Sequence, residues 1–163
     1  TIFNLLGPLS NPGGVTRQLL GVFSPQWVRP MADALNQLGC DAAWVVHGNG
    51  LDELTTTGPS QIAELRNGTI REFEITPEDA GLERVDLNAL KGGDPDYNAA
   101  ALTRLLDGEN SAYREIVLLN VAAALMVCDR ADDLRSGVAI AASAIDDGTA
   151  KSTLKKWAEL SNG

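Results

Sequence analysis

The spacing of apolar positions changes along this chain, and each change predicts an element. Residues 17–23, RQLLGVF, form a short apolar run that reads as a buried strand. Trp27, Val28, Met31, Leu35 and Leu38 then recur at helical spacing. Ser24-Pro25 opens that helix and Gly39 stops it. Residues 42–46, AAWVV, are apolar throughout, as a parallel strand covered on both faces should be. The span 17–46 therefore reads as a strand–helix–strand unit. Residues 60–66 (SQIAELR) and 69–75 (TIREFEI) alternate instead, and Asn67-Gly68 joins them. That dipeptide favours a tight hairpin turn, because both of its residues tolerate positive φ. Thr76-Pro77-Glu78-Asp79 opens a short helix or turn by its capping pattern.

From residue 92 the period becomes helical. Gly93-Asp94-Pro95 caps a helix running to about Leu106. Ser111 caps a second, REIVLLNVAAALMV, which is apolar on nearly every side and so belongs at the centre. Residues 130–146 and 149–160 read as two more, separated by Gly148. Residues 1–16 read as a short apolar turn and then the loop GPLSNPGG. The predicted fold is α/β, a mixed sheet with parallel strands and an antiparallel hairpin, flanked by helices.

Composition narrows the function classes. The 163 residues make a single domain the expectation, and a 44% hydrophobic content supports a sizeable core. The net charge of −9 offers no basic face for nucleic acid. No stretch approaches the roughly 20 apolar residues of a membrane span, and no leader pattern opens the chain. Cys40 and Cys128 have no metal-ligand spacing and build no disulfide framework, which fits a reducing, cytoplasmic setting.

The chemistry is concentrated in HGNGLDELTTTG, residues 47–58. This segment follows the AAWVV strand, and ligands of open α/β sheets bind beyond strand carboxyl ends. Gly48 and Gly50 are expected to bend the backbone and let it approach a ligand. Asp52 and Glu53 are hard oxygen donors suited to Mg²⁺ that keeps several waters and is shared with substrate phosphates. Surface loops also carry such acid pairs with no ligand at all, and the residues alone leave both readings open. His47, the only histidine, lacks a serine or acid partner at a defined spacing and reads as a packed residue. Gly92-Gly93-Asp94 lacks the rest of a phosphate-binding fingerprint and reads as a helix cap. Asn120, inside an apolar helix, requires a hydrogen-bond partner, expected on a neighbouring loop.

Several stretches together carry more. TIFNLLGPLSNP (1–12), VVHGNGLDEL (45–54), IAELRNGTIREF (62–73), the GGD turn with Asn98 (92–98) and LLNVAAALMV (118–127) resemble the anthranilate phosphoribosyltransferase family, in its order. The resemblance covers the whole chain but only the C-terminal half of a family member. It implies a nucleoside phosphorylase/phosphoribosyltransferase-like C-terminal domain. It also implies a transfer of phosphoribosyl from phosphoribosyl pyrophosphate to anthranilate, releasing pyrophosphate, in tryptophan biosynthesis. Asp52 and Glu53 match the acids that bind magnesium in the family, and the full-length parent would be a homodimer. The family's GTGGD loop, its KHGN segment and its N-terminal helical domain are absent from these residues. Its anthranilate-contacting arginine would fall just before Thr1. His47-Gly48-Asn49 only looks like KHGN, and its role is not transferred. On this resemblance residues 1–163 are a single α/β fragment, inactive alone, with no catalytic residue assigned. The loop 7–14 would either border the route of anthranilate or serve as a rigid connector. A pyrimidine nucleoside phosphorylase-like fragment and a noncatalytic domain of the same fold are the competing expectations.

Overall fold

Four strands build the sheet in the order β1-β2-β3-β4: Arg17–Gly21, Ala42–Gly48, Ser60–Arg66 and Thr69–Ile75. The structure is a computed structural model that describes residues 2–162. β1 and β2 run parallel, with Leu19 opposite Trp44, and the two remaining pairs are antiparallel. The sheet is therefore mixed, as predicted, with one parallel pair. Among the described residues six α-helices accompany it: α1 Ile2–Leu9, α2 Val28–Gln37, α3 Pro95–Leu106, α4 Ala112–Val127, α5 Leu134–Asp146 and α6 Thr149–Asn162. Among the described residues no helix is long and apolar enough to cross a membrane.

The pleat of β2 sorts its side chains between two cores. Ala43 and Val45 join Met31 and Leu35 of α2 on one face, with Ala63 and Leu65 of β3. Ala42, Trp44 and Val46 face Leu119, Ala122, Ala123 and Val127 of α4 on the other. Every β2 residue is buried, as the uninterrupted apolar run requires. Helix α4 is apolar nearly all round because Leu118 faces away from the sheet. There it joins Leu105, Ala141 and Ile145 in a third cluster. The contact of α4 with α5 is close: a Cβ on Gly137 would lie 2.8 Å from both Cα and Cβ of Ala122.

Three elements differ from expectation. The segment read as turn and loop over 1–16 is helical from Ile2 to Leu9, while Thr1 lies outside the described residues. Pro8 is tolerated in the last turn because Gly7 before it has no Cβ to clash with the proline ring. Ser10 Oγ then donates to the Leu6 carbonyl at 2.9 Å. The strand read as buried over 17–23 ends at Gly21, and only Leu20 of it is buried, because β1 is an edge strand. The fifth helix starts at Leu134, where Asp133 and Ser136 form a capping box. The Asn67-Gly68 hairpin, the Asp94 and Ser111 caps and the Thr76/Asp79 capping box are as predicted.

Two polar clusters pin the sheet to its surroundings. At the far end of α4, Arg17 Nη1 donates to the Val127 carbonyl and Arg66 Nη2 to the Met126 carbonyl, both at 3.1 Å. Asp129, at φ +55, pairs with both arginines. Beneath β4, Trp44 Nε1 donates to Glu64 Oε1 at 2.9 Å, and Arg71 pairs with the other carboxylate oxygen. The Trp44 and Phe73 rings meet edge to face at 5.5 Å. Burial pushes the Glu64 carboxyl up, but hydrogen bonds from Arg71 and Trp44 and the charges of Arg71 and Arg66 outweigh it. The net position is below the usual carboxylate range.

Candidate functional site

The loop after β2 begins as a tight turn. Gly48 and Leu51 exchange backbone hydrogen bonds at 3.0 and 2.9 Å, around Asn49 at φ 46 and Gly50 at φ 93. Positive φ at both central positions makes this a type I′ turn, which Asn-Gly suits. The chain then folds back across the carboxyl ends of β1 and β2.

Two glycines make room for it. A Cβ on Gly21 would stand 1.5 Å from the Asp52 carbonyl oxygen, and one on Gly48 would stand 2.3 Å from that of Glu53. Gly48 was expected to admit a ligand. It is covered instead by the chain's own backbone five residues on, and Gly50 serves the turn. Gly21, which sequence reasoning passed over, is the closer contact. Its position at a strand end was the available signal, since strand glycines often mark a close backbone approach.

Side chains lock the loop from above. Asn120 Oδ1 accepts from Leu54 N at 3.0 Å, while its Nδ2 donates to Leu54 O at 2.8 Å and Ile116 O at 2.9 Å. The partner expected on a neighbouring loop is therefore Leu54. Thr55 N donates to Ser60 Oγ at 3.0 Å, and Thr57 N to Thr55 Oγ1 at 3.0 Å. Leu54, Thr55 and Thr56 are fully buried as a result.

Asp52 and Glu53 are exposed, as are Asn49 and Gly50 of the turn before them, while Leu54, Thr55 and Thr56 behind them are buried. Glu53 lines a cleft of about 480 Å³ with Leu51, Leu87, Lys91, Tyr113 and Ile116. Lys91 and Tyr113 carried no signal in the sequence, because the loop and the helix that bring them there are distant along the chain. Burial first, and the adjacent Asp52 charge second, push the Glu53 carboxyl above its ordinary range. A bound cation would favour the ionised form of Glu53. Among the described residues no group of three or more His, Cys, Asp or Glu side chains could hold a metal ion. Two adjacent carboxylates fit Mg²⁺, which completes its shell with water and ligand phosphates.

The remaining candidates are structural. His47 is buried, and its Nδ1 lies 2.8 Å from the Val22 carbonyl oxygen. A carbonyl only accepts, so Nδ1 carries the proton and ties the residue that follows β1 to β2. Asp94 Oδ1 accepts from Tyr97 N at 2.8 Å, and Asn98 brackets Gly93 through its N–H and C=O at 2.9 and 3.0 Å. The Gly92-Gly93-Asp94 turn is thus a helix cap.

Residues 1–151 match the family described as "Glycosyl transferase family, a/b domain". The chain belongs to this family. Over its full length it is 64% identical to the anthranilate phosphoribosyltransferase of Parvibaculum lavamentivorans, of which it covers 48%. It is 58% identical to that of Bradyrhizobium diazoefficiens, covering 49%. The chain spans about half the length of the curated relatives it matches. The anthranilate phosphoribosyltransferase of Thermus thermophilus superposes over 96% of this chain and 46% of its own, with a TM-score of 0.87 and 43% identity. The Saccharomyces cerevisiae enzyme in complex with phosphoribosyl pyrophosphate and Mg superposes over 95% and 45%, with a TM-score of 0.84 and 27% identity. The resemblance read from the five sequence stretches is borne out, and so is the fold class.

Proposed function

We propose that this chain is the magnesium-holding part of an anthranilate phosphoribosyltransferase. The whole enzyme would move the phosphoribosyl group of phosphoribosyl pyrophosphate onto anthranilate and release pyrophosphate. One observation carries the reading. A pair of adjacent, exposed carboxylates stands where the loop backbone is wedged onto the strand ends, in a chain so similar to that enzyme. Asp52 and Glu53 would hold Mg²⁺ through their carboxylate oxygens. When bound, the ion supplies charge neutralisation to the departing pyrophosphate. The apolar wall of Leu51, Leu87 and Ile116 beside Glu53 lowers the local dielectric and strengthens the pull of that carboxylate on a cation. The same acids repel a bare polyphosphate, so a phosphorylated substrate is accepted with its cation. His47 is buried with its Nδ1 proton held by the Val22 carbonyl, and on this reading it has no part in proton removal. The amine of anthranilate is already nucleophilic, so the reaction demands positioning and charge control instead.

On this reading residues 1–163 form one α/β unit of a longer chain. That chain would supply the N-terminal helical domain and the rest of the α/β domain. The whole enzyme would be a cytoplasmic homodimer, and the isolated unit would be inactive. The test is Asp52→Asn with Glu53→Gln in the whole enzyme. Loss of several kcal/mol of charge stabilisation should lower kcat/KM for phosphoribosyl pyrophosphate by about 100-fold or more and weaken its dependence on Mg²⁺. A folded double variant with unchanged turnover and Mg²⁺ dependence would sink the assignment.

A further inference from the structure

We propose that Asn120 is a positioning residue that sets how the loop presents Asp52 and Glu53, acting through the backbone of Leu54. The inference rests on the reading of the acid pair as a magnesium site.

Asn120 stands half-buried on α4, with the buried Ile116 and Ala123 on its side of the helix. An apolar side chain there would match its neighbours. It would also leave the N–H and C=O of Leu54, a fully buried residue, without their partners. The amide of Asn120 meets both groups, much as the backbone of a neighbouring strand would. Its second amide proton goes to Ile116 O, within its own helix. The orientation is unambiguous, because turning the amide over would set NH₂ against the Leu54 N–H and its oxygen against two carbonyls. Leu54 directly follows Glu53. On the opposite side the same few residues rest on Gly21 and Gly48, where a Cβ would come within 1.5 and 2.3 Å of the Asp52 and Glu53 carbonyl oxygens. The backbone of the acid pair is thus gripped between two strand ends and one helix. What Asn120 fixes is the direction in which the two carboxylates leave it.

Residues that orient metal ligands, when removed, typically weaken metal affinity 10- to 100-fold. In the whole enzyme, Asn120→Ala should raise the Mg²⁺ needed for half-maximal rate by about that factor, with KM for anthranilate changed less than about twofold. The shift should disappear when the substitution is placed on Asp52→Asn/Glu53→Gln, because the route of action is then gone. An equal loss in both backgrounds would mean a purely structural role and overturn the proposal. A readout independent of activity is hydrogen exchange at the Leu54 amide. It should be protected in the unsubstituted enzyme and exposed in Asn120→Ala. Exchange at the rate of a free loop in the unsubstituted enzyme overturns the proposal without any variant. Should Asn120→Ala fail to fold, the exchange measurement on the unsubstituted enzyme still decides against the proposal if the Leu54 amide is unprotected. If the double acid substitution alone leaves Mg²⁺ dependence intact, the functional reading fails first. If that substitution acts and Asn120→Ala does not, only the positioning role fails.

Discussion

Replacing Glu64 by glutamine and by alanine separates its charge from its hydrogen bond to Trp44. Glutamine keeps an oxygen for the Trp44 N–H but loses the charge facing Arg71. Hydrogen bonds to charged groups contribute about 1.5–3 kcal/mol. The Arg71 side chain is 69% exposed, so solvent screening reduces the charge contribution to about 1 kcal/mol. Alanine additionally strands the indole N–H of Trp44, a residue only 2% exposed, for a further cost of about 1–3 kcal/mol. Near neutral pH the order of stability should be wild type, then Glu64→Gln, then Glu64→Ala at about 2–4 kcal/mol below wild type. The pH dependence has a definite sign. The folded Glu64 value lies below the ordinary one, so its contribution is present above the unfolded range of about 4.3 and is lost as pH falls through the folded value. The gap between wild type and Glu64→Gln should therefore close in acid. Urea denaturation followed by tryptophan fluorescence, near pH 7 and near pH 3, measures both quantities. A gap of equal size at both pH values would refute the argument, and so would alanine proving no worse than glutamine.

Two further outcomes are expected. Gly137→Ala forces α4 and α5 apart at Ala122, and overpacking of this kind costs about 1–3 kcal/mol, or about 2–4 °C of Tm per kcal/mol at this chain length. A Tm equal to wild type by calorimetry would show that the two helices can yield. Asp129→Asn keeps a residue that tolerates positive φ but removes the charge between Arg17 and Arg66. It should lower Tm at low salt, and the loss should shrink near 1 M salt, where the Debye length is about 3 Å.

What the sequence displayed most clearly was local chemistry. The Asn67-Gly68 hairpin and the caps at Asp94 and Ser111 depend on residues a few positions apart, and each formed as read. The need of Asn120 for a partner was legible too, since an amide in an apolar helix must be satisfied. What stayed hidden was set by distant segments. Nothing within RQLLGVF reveals that β1 lies at a sheet edge. Gly7-Pro8 carries a loop signal, yet the helix runs through it. The glycines near the acids were visible, but their purpose was not. Gly21 and Gly48 are small because the chain itself returns over them, and that return exists only in the folded state.

Helix α4 is fastened at two heights. Its last carbonyls belong to Arg17 and Arg66 at the start of β1 and the end of β3, while Asn120 grips the loop at the opposite end of the strands. The two fastenings are separated by about 10 Å along the helix axis. The helix therefore works as a tie rod, and it cannot slip by a turn without releasing one end. The height of the acid pair above the strand ends is set from the far side of the sheet. Sheet, helix and acids must tilt as one rigid body. Any movement that closes over a ligand has to come from whatever lies across the cleft, and the acid loop itself cannot act as a lid.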